Sequence, residues 1–278
     1  MSRSSRQPRA RGTSASSTTR AKPCRGKPRA VKEIGNRPRF STCSPVSPLY
    51  WMSTAMTNPY LSPTALIDSD HPEVIAFARA HCRGSDVRER AVSLYYAVRD
   101  SFRYDPYRID LSETGMKASS VIASGAGWCV PKATLLAAVC RAAGIPARPG
   151  YADVRNHLST ERMRETFGED LYRWHGYTEI LVDGSWYKAT PAFNLALCER
   201  FGLLPLEFDG RSDSIYHPFD RSGNQHMEYV HQRGHYPDVP LSLMAEDFRT
   251  HYPVWLEQAE QLRAADFLAD VERENQPA

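Results

Sequence analysis

The chain has 278 residues, 41% of them hydrophobic and 24% charged, with a formal net charge of +3. That length exceeds the common single-domain size, so one domain plus an appendage, or two domains, is expected, and no apolar run approaches the ~18 residues of a membrane span. Cys24, Cys43, Cys82, Cys129, Cys140 and Cys198 form no CxxC pair or dense framework, and no apolar signal core opens the chain, which points to a soluble protein of the reducing cytoplasm with free thiols.

The net charge averages two unlike segments. Before Met52 stand twelve Arg or Lys residues and a single acid, Glu33, a net of +11; the remainder carries 23 basic and 31 acidic residues, a net of −8. The basic arm, residues 1–55, is rich in Ser, Thr, Pro and Arg without apolar periodicity and is expected to be disordered. We read it as an upstream extension of the reading frame, with translation starting at Met52 or Met56; the alternatives are a nucleic-acid tether or a transit-like presequence. Nothing outside the arm points to nucleic acid, and no feature bears on oligomeric state. Residues 56–278 are expected to form one domain.

Along that domain, His71-Pro72-Glu73 opens a helix to about Cys82, with Asp70 as its expected N-cap. A second helix starts at Ser85 or Asp86, where Val87, Ala91, Leu94, Tyr95, Val98 and Phe102 recur at helical spacing and predict a buried stripe. After a loop through Tyr104–Tyr107 comes a short helix around Ala118–Ala123. Gly125-Ala126-Gly127-Trp128 then forms a loop leading into a helix that begins at Cys129. Pro131 suits its first turn, and Gly144-Ile145-Pro146 stops it. Ala147–Val154 and His175–Val182 read as strands, with a short helix at Arg162–Phe167 between them. Asp183-Gly184 predicts a hairpin turn returning as Trp186–Ala189. Signals weaken past Asn194, until Pro253–Glu274 reads as one polar closing helix. Helices, then a nucleophile helix, then a small antiparallel sheet make an α+β domain with extra N- and C-terminal helices.

The chemistry concentrates at Cys129. A thiol at a helix start faces unpaired backbone N–H groups and the positive end of the macrodipole, which favours the thiolate. Such a nucleophile needs a base, and a histidine on a strand packed against the helix can supply one. His175, in Trp174-His175-Gly176-Tyr177, is placed for this. Cys82 and Cys140 read as core residues. His217, His226, His231 and His235, with Glu228 and Asp238, form a rival constellation, but none has HExxH spacing, and surface or cleft histidines are the expected account.

Gly-x-Gly-x-Cys, the helix ending in Arg141-Ala142-Ala143-Gly144-Ile145-Pro146-Ala147-Arg148, and the later His175…Glu179…Trp186 hairpin together resemble the core of the transglutaminase-like superfamily. The resemblance covers about Phe102 to Asn194. It implies a papain-like fold, with Cys129 as nucleophile attacking an amide carbonyl and His175 as general base and acid. Where the family places an orienting aspartate before proline, this chain has Thr190-Pro191. Thr190 can fix the imidazole tautomer but supplies no charge, and Asn194 is a second candidate for that role. The Cys129 backbone N–H and the Trp128 indole are the candidate oxyanion donors. The implied function is thiol acyl transfer on a protein or peptide amide, with hydrolysis preferred over amine transfer. The alternative is a non-catalytic binding module that has lost the carboxylate. No cofactor is implied, and neither calcium-loop nor metal spacing occurs.

Overall fold

A computed structural model describes residues 58–274 except 157–158, 217–222 and 224–225. The basic arm, both methionine starts, Cys24, Cys43 and His217 lie outside the described residues. Helices α1 (Pro72–His81) and α2 (Val87–Ser101) come first. The cap of α1 differs from expectation: His71 Nδ1, one residue after Asp70, accepts the Glu73 N–H at 3.3 Å. Asp86 caps α2 by accepting the Glu89 N–H at 2.8 Å. The predicted stripe of α2 is buried except Val87, which sits in the first turn and is exposed.

Next come β1 (Arg103–Tyr104), α3 (Glu113–Met116), α4 (Ala118–Ser124) and β2 (Ala126–Gly127), the two short strands pairing in parallel. Helix α5 (Cys129–Ala142) follows. Every residue from Cys129 to Arg141 is buried, which a helix can sustain only at the centre of a domain with neighbours on all sides. The polar members of that stretch find backbone partners. Lys132 Nζ donates to the carbonyls of Arg99 and Phe102 at the end of α2, supplying donors to acceptors that the helix itself leaves unpaired. Arg141 donates to the carbonyls of Ala147, Ser62 and Pro237, tying three distant segments to the C-terminus of α5.

The sheet consists of β3 (Ala147–Asn156), β4 (Leu171–Val182), β5 (Ser185–Ala189) and β6 (Met227–His235), in the antiparallel order β5-β4-β3-β6. Asp183 and Gly184 turn the β4–β5 hairpin with φ of 50° and 83°, the paired positive values of a type I′ turn. Helix α6 (Glu161–Phe167) fills the β3–β4 connection, and α7 (Leu195–Phe201) follows β5. The C-terminal stretch holds α8 (Leu241–His251), α9 (Pro253–Ala264) and α10 (Phe267–Glu274). The single closing helix expected from sequence is therefore two. It breaks at Ala265, which adopts extended backbone, and Asp266 Oδ1 then accepts the N–H groups of Leu268 and Ala269.

Helix α5 packs on the face of β4 that carries Gly176, Thr178 and Ile180. Thr178 Oγ1 donates to the Ala133 carbonyl at 2.8 Å, and a Cβ at Gly176 would stand 2.9 Å from Val130 Cα. Only glycine permits that approach, which brings the start of α5 against the strand carrying His175. No helix among the described residues is long and apolar enough to cross a membrane.

Candidate active site

Cys129 is the first residue of α5, and Trp128 is its N-cap in extended backbone without a side-chain capping bond. The backbone N–H groups of Gly176, Val130 and Cys129 itself surround the sulfur and favour its thiolate. Cys129 and His175 line one cavity together with Trp128. His175 is buried between aromatic rings, with centroids 5.8 Å from Tyr216 and 6.0 Å from Tyr229. Its Nε2 is buried and has no hydrogen-bond partner among the described residues; the same holds for Trp128 Nε1. Buried polar atoms left unpaired are rare in native proteins.

The strand reaches His175 through a bulge. Ala152 pairs with His175 but Val154 with Tyr172, so Arg173 and Trp174 together oppose Asp153. Trp174 sits at φ 62°, a conformation that costs an L-residue about 1 kcal/mol and persists only where its surroundings enforce it. Here they do. Asp153 Oδ1 accepts the Trp174 N–H at 3.1 Å, and Asp247 of α8 accepts the indole N–H at 2.8 Å. Arg233 of β6 bridges both carboxylates and stacks 4.4 Å from the Trp174 ring. The direction of His175 is thus held by residues roughly 60 to 70 positions away in sequence.

Burial sets the electrostatics. It pushes the Cys129 thiol up to about 11, outweighing the three N–H groups that pull the other way. Burial, with a smaller contribution from His226, pushes the His175 imidazole down to about 4. Both groups therefore rest neutral at pH 7. This departs from the thiolate expected at a helix start, because loss of solvation exceeds what the helix end returns. The neutral imidazole has a consequence for stability. The unfolded chain takes up a proton near pH 6.5 and the folded chain only near pH 4, so stability is intact above 6.5 and falls as the pH drops from 6.5 to 4. The difference amounts to about 3 kcal/mol. Urea titrations of wild type and His175→Gln across that window should show the wild type losing about that much more.

The remaining expected residues fall in different places. Thr190 is buried directly after β5; its N–H donates to the Ser214 carbonyl, and its own carbonyl accepts the Tyr95 hydroxyl. Its Oγ1 makes no hydrogen bond among the described residues and lies beside the Tyr229 hydroxyl. No hydrogen bond joins Thr190 to His175. Asn194 is committed elsewhere: at the N-cap of α7, its Oδ1 accepts the Tyr104 N–H at 3.0 Å. Cys140 is fully buried and Cys82 half-buried. His231 and His235 lie on β6, and His235 Nδ1 is 3.6 Å from Glu179. No group of three His, Cys, Asp or Glu able to hold a metal occurs among the described residues. His226, one of the four histidines for which a surface or cleft position is expected, is buried near His175. Its sequence neighbourhood gave no periodic signal that could have placed it there.

Residues 76–191 match the family model of the transglutaminase-like superfamily. Among solved structures, the chain is similar to a candidate cysteine protease from Cytophaga hutchinsonii, at 22% identity over 52% of this chain and 45% of that one, with a TM-score of 0.38. A candidate protease from Parabacteroides distasonis is similar at 19% identity over 45% of this chain and 26% of that one, with a TM-score of 0.31. The chain thus spans about half of the first and a quarter of the second. No curated protein matches the chain.

Proposed function

We propose, from the match of residues 76–191 to the transglutaminase-like superfamily, that this chain carries out thiol-dependent acyl transfer at a protein or peptide amide, ending in hydrolysis. The observation that carries this reading is one cavity lined by both Cys129 at a helix start and His175 with an unpaired ring nitrogen. Two neutral groups define the first step. Cys129 Sγ bonds to the carbonyl carbon while its proton passes to His175, and the carbonyl oxygen becomes an oxyanion. Collapse breaks the C–N bond, and His175 returns the proton to the leaving amine. Water then attacks the thioester carbonyl, giving a proton to His175; the C–S bond breaks, the acid leaves, and His175 returns the proton to sulfur, restoring the thiol.

The Cys129 N–H and the Trp128 indole N–H are the donors for the oxyanion. An indole N–H that is buried and unpartnered at rest costs nothing to release when charge develops. Trp128→Phe keeps an aromatic ring, though a smaller one, and removes that donor, so kcat should fall about 10²-fold with KM little changed. Steady-state kinetics on a peptide ester would read this, and an unaltered kcat would exclude the indole. One observation favours the alternative of a binding module: no hydrogen bond among the described residues ties His175 to an orienting group. A peptide library incubated with wild type and Cys129→Ala, read by mass spectrometry for new termini and amine adducts, separates the readings. New termini from wild type alone support hydrolysis. Identical spectra overturn it.

A further inference from the structure

The cavity at Cys129 has a shape and a lining that go beyond housing the nucleophile. It measures about 50 Å³. A single water needs roughly 10–15 Å³ on that scale, and a cavity that admits benzene has about 150 Å³. The space therefore exceeds one water and is about a third of that cavity. Its walls are Met163 and Phe167 of α6, Val154 of β3, and Phe248 and Tyr252 at the C-terminal end of α8. Three of these rings interlock edge to face, Phe167 and Phe248 each 5.0 Å from Tyr252, so the cavity cannot widen without breaking that packing.

Of the polar groups of the wall, His175 Nε2, Trp128 Nε1 and the Tyr172 hydroxyl make no hydrogen bond among the described residues, whereas Tyr252 and the one formally charged group, Arg173, are engaged. The Tyr252 hydroxyl donates to the Leu171 carbonyl and accepts the Arg173 N–H, which leaves only its ring for a ligand. The Arg173 guanidinium pairs with Glu169 and lies 5.6 Å over the Tyr252 ring. A charged ligand group would enter this space without a counterpart and lose its hydration. A small apolar group would bury its surface against rings and a thioether at no such cost.

We propose that this cavity is a specificity subsite for a small branched aliphatic side chain, of Val or Leu size, on the acyl half of the substrate. The proposal rests on the reading of Cys129 as the nucleophile. It assigns selectivity in part to elements outside the family-matched segment, since Phe248 and Tyr252 lie beyond residue 191. A peptide with aspartate or phenylalanine at that position is a poor substrate, the first for desolvation and the second for size.

The test uses acetyl-dipeptidyl chloromethyl ketones, in which the Cys129 sulfur displaces chloride to form a thioether. Two series, Ac-X-Ala and Ac-Ala-X, carry Val, Leu, Phe or Asp at X, and adduct formation on the Cys129 peptide is timed by mass spectrometry. At one of the two positions, Val or Leu should label at least 10-fold faster than Phe or Asp. Met163→Ala or Phe248→Ala enlarges the cavity and should raise the Phe-to-Leu rate ratio several-fold; reading a ratio guards against partial loss of fold in either variant. Equal rates across X at both positions, or faster labelling by Phe or Asp in wild type, would overturn the subsite while leaving the nucleophile intact. No adduct on Cys129 with any probe would overturn the nucleophile reading and the subsite with it.

Discussion

His175→Ala should lower kcat/KM on a peptide ester by at least about 10³-fold, with most of the loss in kcat. The size of this effect follows from the resting charge state. With the Cys129 thiol pushed up to about 11, only about one thiol in 10⁴ is ionised at pH 7, so attack depends on a base that removes the proton as the bond forms. A site with a preformed thiolate would lose less. The pH profile carries the same signature. His175 accepts a proton only while neutral, and its pKa of about 4 places the acid limb of wild-type kcat/KM near pH 4 rather than 6.5. The variant should lack that limb, and its residual rate should climb about tenfold per pH unit as the thiolate fraction grows. An acid limb near 6.5 in wild type would mean that the imidazole is solvated in the working enzyme.

The second large effect is on stability and lies at the other end of α5. Arg141→Ala removes the donor to three carbonyls, those of Ala147, Ser62 and Pro237, from a position only 4% exposed. The Ala147 carbonyl is a buried acceptor whose loss of a partner costs about 1–3 kcal/mol; the Ser62 and Pro237 carbonyls are part-buried and cost less, and the truncated side chain leaves a cavity as well. The expected loss is about 3–5 kcal/mol, or roughly 10 °C in Tm for a domain of this size. Arg141→Lys should recover only part, because one ammonium cannot span the planar fork that reaches three segments. Chemical denaturation and thermal melts check this. A Tm within 2 °C of wild type would show that the three segments hold without the guanidinium.

The readability of this chain divides by range. Helix α5 and strands β3 to β5 are legible because their signals are local: Gly144 and Pro146 after a helical run, and Asp183-Gly184 between two apolar strands. Cys129 at its helix start and His175 on its strand follow from the same local grammar. Strand β6 is not legible, because it is an edge strand that is largely exposed and therefore lacks alternation. Arg233 on it and Asp247 on α8 meet Asp153 around Trp174, a contact no window of sequence contains. The charge state of Cys129 is unreadable for a related reason. The helix end is a local fact that argues for a thiolate, while burial is a property of the whole fold, and burial prevails. Thr190, at the position where the resemblance leads one to expect an aspartate, has its hydroxyl beside Tyr229 rather than bonded to His175.

The central claim is that Cys129 forms an acyl-enzyme with the help of His175. Mixing the protein with excess N-acetyl-leucine p-nitrophenyl ester and following p-nitrophenol, with the intact mass and the Cys129 peptide measured at early times, tests it directly. The account predicts a burst approaching one equivalent per chain and an acyl adduct on Cys129. The burst should be absent in Cys129→Ala and at least about 10³-fold slower in His175→Ala. A burst of equal size in Cys129→Ala, or an adduct on any other residue, would contradict it.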